Sequence, residues 1–123
     1  RAYVLSTNQT STQACQLSLF PTQKSVNSYT AGINMFLFAV TSTQSMWNLQ
    51  LIDNGFGVNW VSYSGASGGY DQLVYGNIAN NNTGVVRTVT FRVYYCDGLF
   101  KDFILTQGIG TLVGVTNIVT SNS

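Results

Sequence analysis

The sequence contains no histidine, no glutamate and a single proline, Pro21. Without histidine there is no Ser-His-Asp or Cys-His arrangement, no common zinc site, and no general base of the type most used near neutral pH. The carboxylates are Asp53, Asp71, Asp97 and Asp102. A glycosidase could use two of these if they lay about 5 to 10 Å apart with one pKa raised. Asp53-Asn54-Gly55 and Asp97-Gly98, however, have ready turn roles, and Asp102 adjoins Lys101 on a strand. The chain is therefore read as non-catalytic. Asp53 or Asp71 with backbone carbonyls could hold calcium, but EF-hand spacing is absent, and no metal or other cofactor is expected.

Charge is scarce as well. Charged residues make up 7% of the chain, against roughly 25% in ordinary soluble domains, so neutral Asn, Gln, Ser and Thr must supply solubility. The net charge is +1, which leaves no basic stripe to displace counterions from a phosphate backbone and excludes nucleic acid as a partner. Apolar runs such as MFLFAV (35 to 40) fall far short of the ~20 residues of a membrane helix, so no membrane span is expected. The chain opens on Arg1 without the regions of a secretion signal and reads as a processed or excised piece. Its two cysteines, Cys15 and Cys96, are too far apart for a CxxC motif, which leaves a disulfide or two separate thiols. If bridged, the loop would contribute about 4 to 5 kcal/mol in the chain-entropy model and would point to an oxidising compartment.

What the sequence does have is alternation. In VVRTVTFRVYY (85 to 95), Val85, Val89, Phe91 and Val93 share one face, and Thr88, Thr90, Arg92 and Tyr94 the other. Cys96-Asp97-Gly98 and the alternating FKDFILTQ (100 to 107) follow, so 85 to 107 reads as a β-hairpin. QLSLF (16 to 20), GINMFLFAVT (32 to 41), MWNLQLI (46 to 52), NWVSY (59 to 63) and QLVYGNI (72 to 78) are rich in β-branched and aromatic residues. PTQ, STQS, DNGFG, SGASGG and ANNNTG separate them as turns, at spacings of roughly 8 to 12 residues that suggest an all-β sandwich or barrel. No segment has a helical period, and 123 residues suffice for one domain. The tails AYVLS (2 to 6) and GTLVGVTNIVT (110 to 120) alternate weakly, as extra strands or linkers.

The order of these signals is itself distinctive. An apolar strand ends in Val40-Thr41-Ser42; Trp47 opens a strand; Asn59-Trp60-Val61 precedes a Ser and Gly loop; NIANNNTGVVRTVTF carries Asn80 and Arg87; and FILTQ closes at Gln107. Over residues 15 to 108 this resembles a BACON domain, the Bacteroidetes-associated carbohydrate-binding often N-terminal module. The resemblance implies an immunoglobulin-like sandwich of two antiparallel sheets with seven or eight strands; outside it, residues 1–14 are read as an N-terminal extension or extra strand and 109–123 as a C-terminal strand or linker. It also implies an extracellular, cell-surface or virion setting, since the family occurs in glycan-handling proteins of gut bacteria and in virions of their phages. Trp47 and Trp60 fall on the family's two Trp positions, where the side chain fills the space between sheets. Arg87 shares parity with Val89 and Phe91, so its guanidinium turns toward the end of the core and satisfies loop carbonyls, with Asn80 and Gln107 at the same mouth. In the implied strand order Cys15 and Cys96 lie at one end of the sandwich, where a bridge is geometrically allowed. The two cysteines, the low charge and the tails depart from the family pattern.

Tyr63, Tyr70 and Tyr75 fall outside the positions that pattern assigns to its core. Such rings can stack on a sugar while Gln72, Asn77, Asn80 or Asn81 hydrogen-bonds its hydroxyls, or they can cover a sheet edge or pack on an adjoining domain. The N-glycosylation triplets at 8–10 and 81–83 are read as coincidence in polar turns. The expected function is a non-catalytic module that binds glycans or mucin-like glycoproteins weakly and multivalently, as a homo-oligomer or as part of a multidomain or virion assembly. The alternative is a structural spacer or assembly domain of a phage fibre, capsid or surface adhesin, with residues 110 to 120 adding a strand to a neighbour.

Overall fold

A computed structural model describes residues 15–66 and 68–110. Eight strands form among the described residues, with no helix. They are β1 (Leu17–Phe20), β2 (Gln23–Ser28), β3 (Gly32–Ser42), β4 (Asn48–Asp53), β5 (Val61–Ser64), β6 (Gln72–Ile78), β7 (Arg87–Tyr95) and β8 (Leu99–Gly110). One sheet has the order β1-β3-β6-β5 and the other β2-β8-β7-β4. The first matches the A-B-E-D layer of an immunoglobulin constant-type domain, and β4, β7 and β8 supply C, F and G. The fold is an immunoglobulin-like sandwich.

One pairing departs from the expected antiparallel sheets. The chain leaves the first sheet at the cis Phe20–Pro21 peptide, and β2 joins the second sheet parallel to β8, with Gln23 beside Ile104 and Ser28 beside Gly110. Of this strand only Gln23, within PTQ, falls in a segment read as turn; the rest of QKSVNS, with a lone apolar residue, Val26, carries no strand signal. As an edge strand with little to bury, it shows no alternation.

Alternation elsewhere sets the core. Val89, Phe91 and Val93 of β7 and Phe103 and Leu105 of β8 are fully buried, facing Phe38, Val40 and Val74 of the other sheet. Phe38, Phe91 and Phe103 form a closed trio, with ring centroids 4.6 to 5.8 Å apart. It joins strands β3 and β7, the pair that antibody domains link by a disulfide. Val85, expected on the same face as Val89, is 51% exposed. The strand begins only at Arg87, and the Val85 carbonyl is held in a turn by Asn81 Nδ2 at 2.8 Å and Thr83 Oγ1 at 3.1 Å. Thr90, expected outward, is buried, because the Asn54 side chain folds over it and donates to its Oγ1 at 3.0 Å.

Leu17 stands opposite Ser42, the last residue of β3, whereas Gly110 stands opposite Ser28, from which a short turn leads to Gly32, the first. The described chain therefore enters at one end of the sandwich and leaves at the other. Residues 1–14 and 111–123, and with them the proposed tail strands, lie outside the described residues, although β8 itself runs through Gly110, past the expected boundary at 108.

After β4 the chain turns on Asp53, whose Oδ1 accepts from the Gly55 amide at 2.7 Å and the Gly57 amide at 2.9 Å. These bonds favour the charged form and hold the Asp53 carboxyl below its ordinary pKa. A depressed folded pKa contributes stability above the unfolded value, lost as pH falls through the folded one. The difference in urea midpoint between wild type and Asp53→Asn is accordingly expected to be open at about pH 6 and to close on titration toward about pH 2.

Candidate functional site

On the outward face of the β1-β3-β6-β5 sheet, several apolar side chains from neighbouring strands lie uncovered side by side. The position of this strip follows from an irregularity in β3. Strict alternation would put Phe36, Phe38 and Val40 on one side, but the register shifts between Phe36 and Phe38. Leu37 and Phe38 both turn inward, and Phe36 is sent out, 40% exposed. Phe36 then pairs with Tyr75 of β6, their rings edge-on at 5.8 Å. A second row crosses the same face, with Phe20 beside Ala39 and Ala39 beside Leu73. Phe20 is 77% exposed and Leu73 52%.

Ala39, small between two larger neighbours, floors a shallow dip of ≈ 330 Å³ rimmed by Thr41, Asp71 and Gln72. Through Thr41 and Asp71 this dip runs on into an open cleft of ≈ 640 Å³ at the end of the sandwich, where Ser18, Thr43, Lys101 and Cys15 contribute. Asp71 is fixed by accepting the Ser42 amide at 2.9 Å. Around the aromatic rows lie Ser62, Ser64 and Asn77; Asn77 accepts the Asn34 amide at 2.7 Å and donates to Ser62 Oγ at 3.3 Å. The result is a flat apolar strip with a neutral hydrogen-bonding margin, charged only where Asp71 and Lys101 stand at its end.

The residues singled out in sequence are distributed unevenly over this surface. Tyr75 and Asn77 belong to it; Gln72, in step with inward Val74, only borders the dip and donates to the Gly69 carbonyl at 3.1 Å. Tyr70 is exposed beside Asp71, at φ 52°, with its amide on the Gln44 carbonyl at 2.8 Å and its carbonyl receiving Trp47 Nε1 at 3.0 Å. Tyr63 points the other way. Its ring meets Phe91 edge-on at 5.9 Å and its hydroxyl donates to the Leu49 carbonyl at 3.4 Å, so it bridges β5 to β4 across the open side of the sandwich. Asn80 lies at the opposite end, accepting the Ala31 amide at 2.7 Å. Asn81 is buried, its amide nitrogen donating to the carbonyls of Val85 at 2.8 Å and Gly108 at 3.2 Å.

The aromatic Ser and Gly loop after β5 is mostly scaffold. Trp47 is buried; its amide donates to the Gly68 carbonyl at 2.8 Å, and a side chain at Gly69 would collide with the Ser45 backbone. Trp60, also buried, donates through Nε1 to the Gly57 carbonyl at 3.0 Å and lies under the Arg87 guanidinium, 4.3 Å from its ring centroid. Arg87 Nε donates to Gln107 Oε1 at 2.9 Å, and Nη2 donates to the Ala79 and Asn80 carbonyls at 3.2 and 3.0 Å. Burial holds Arg87 below its ordinary pKa. Asp102, adjacent to Lys101 in sequence, is gripped across the hairpin by Arg92 at 2.8 and 2.9 Å. Among the described residues no group of three or more Cys or Asp side chains is placed to hold a metal.

No family model matches the chain, and no curated protein matches it. Two solved structures are similar to it. A Bacteroides ovatus GH5 xyloglucanase in complex with a XXXG heptasaccharide matches 78% of this chain at 14% identity and a TM-score of 0.61, and the chain spans 19% of that enzyme. The BIgI domain of beta protein from S. agalactiae, bound to CEACAM1, matches 78% of this chain and 98% of its own at 18% identity and a TM-score of 0.45. The chain is thus, by strand order and by likeness, an immunoglobulin-like β-sandwich module.

Proposed function

We propose that this chain is a non-catalytic binding module of the BACON kind, extracellular or carried on a virion, which holds neutral glycans or mucin-like glycoproteins weakly on the outer face of the β1-β3-β6-β5 sheet. The observation that carries the reading is the uncovered strip of Phe20, Phe36, Leu73 and Tyr75 bordered by Asn, Ser and Thr. Sugar rings present apolar C–H faces and peripheral hydroxyls, which such a strip complements without charge. Support also comes from the recurrence of the fold within about a fifth of a xyloglucanase solved with a heptasaccharide. Asp53 is engaged in its turn and Asp102 on Arg92, while Asp71, at the end of the strip, accepts the Ser42 amide.

A shallow, open face binds weakly alone and usefully in many copies. Wild-type protein displayed as a tetramer is expected to bind surface-bound mucin, and Phe36→Ala with Tyr75→Ala to weaken that binding by about tenfold or more while leaving the urea midpoint nearly unchanged. Absence of mucin binding by the wild-type tetramer would sink the reading. It would favour the second one, a spacer or assembly domain, for which the placement of chain entry and exit at opposite ends of the sandwich speaks.

A further inference from the structure

Cys15 and Cys96 come from opposite ends of the sequence, the first just before β1 and the second in the turn between β7 and β8. Both nevertheless reach the same end of the sandwich. Tyr95 lines the cleft that holds Cys15 as well as the neighbouring cleft that holds Cys96, and the two thiols are in hydrogen-bond contact. That contact, followed by partial burial, pushes the Cys96 thiol up to about 11. Cys15 is the exposed partner, and among the described residues no disulfide is formed.

The backbone adds an independent sign. Cys96 has φ 48° and Asp97 φ 55°, ahead of Gly98 at φ 110°. Asp and Gly are at home in such turns, but a cysteine there is unusual and strained. A Gly or Asn at 96 would make the turn more easily, and strain kept at one residue points to a task for its side chain.

We propose that Cys15 and Cys96 form a redox-active modification site whose substrate is a small or protein-borne disulfide. The Cys15 thiolate, being exposed, attacks that disulfide, forming a mixed disulfide and releasing one thiol. Cys96 then loses its proton and attacks the Cys15 sulfur, which expels the second thiol and completes the Cys15–Cys96 bond. Two cysteine thiols are oxidised and one external disulfide is reduced to two thiols, so atoms and electrons balance. With no other cysteine in the chain, no competing intramolecular pairing exists. The bridge would tie the start of β1, an edge strand of four residues, to the hairpin of the opposite sheet.

The test is incubation of the reduced full chain with a slight excess of oxidised glutathione, read by intact mass, by thiol count and by thermal melting. The expected product is a monomer lighter by two hydrogen atoms, without titratable thiols, and with a melting temperature raised by about 10 °C or more, because the bond closes a loop of about 80 residues. Cys15→Ser and Cys96→Ser should each abolish the rise while melting near the reduced wild type, since Cys15 is exposed and Cys96 lies in a turn, where Cys96→Asn, suited to the same φ, should melt at or above it. A stable glutathione adduct on Cys15, a covalent dimer, or two thiols surviving the incubation would each overturn the proposal.

Discussion

Phe91→Ala is expected to lower the free energy of unfolding by about 3 to 5 kcal/mol, the range found for large aromatic deletions in packed cores. Phe91 is fully buried and touches both other members of the aromatic trio, Phe38 at 5.8 Å and Phe103 at 5.7 Å, and it also supports the edge of Tyr63 at 5.9 Å. Its loss would remove apolar burial, several edge-to-face contacts and the bearing surface of the residue that closes β5 onto β4. The surroundings are strands with fixed hydrogen-bond registers, which relax poorly into a void, so the upper half of the range is expected. Urea denaturation monitored by tryptophan fluorescence would measure it. A loss below about 1 kcal/mol would mean that the trio does not hold the two sheets together.

Gln107→Leu is expected to cost about 3 kcal/mol, although it replaces a polar group with an apolar one of similar size. Gln107 is wholly buried. Its Oε1 receives Arg87 Nε at 2.9 Å, while Nε2 donates to the Ala79 carbonyl at 2.9 Å and to those of Tyr29 and Thr30 at 3.3 Å. Removing it strands a guanidinium N–H that has no carboxylate in contact among the described residues, and leaves loop carbonyls without their donor. An unpaired buried charge is what makes such losses large. Arg87→Met should be milder, at about 2 kcal/mol, because it orphans Oε1 and uncovers Trp60 but also removes the burdened charge. A double-mutant cycle in urea should return a coupling of about 1 to 2 kcal/mol; additivity would show that the two residues act separately.

Strong alternation was legible where it coincided with burial. The hairpin from β7 to β8 and the inward Val89, Phe91 and Val93 follow from it, while the strands read at 32–41 and 72–78 follow from their β-branched and aromatic content. Turn spacing alone left sandwich or barrel open, and the two-sheet layering came only as an implication of the family resemblance. What alternation could not show is the register shift at Phe36, because a bulge depends on the partner strand, and the partner cannot be read from one segment. The outward turn of Phe36 was missed for this reason, whereas Phe20 lies in a regular pairing and alternates with buried Leu17 and Leu19, so it could have been found from β1 alone. Leu73 could have been found, since it shares parity with Tyr75. Tyr63 and Asn81 show the converse: composition marks a residue as suited to contact with a sugar, but only the fold decides whether its polar atoms are already engaged inside.

The parallel pairing of β2 with β8 has a mechanical consequence. Because the described chain enters beside Ser42 and leaves beside Ser28, a pull on Cys15 and Gly110 draws β2 and β8 in opposite directions along their common axis. The ladder from Gln23–Ile104 to Val26–Gln107 is then loaded in shear, with its bonds resisting together rather than opening one after another. A tethered module stretched by flow would put its most ordinary polar strand, the one with least to bury, in charge of how long it stays folded under tension.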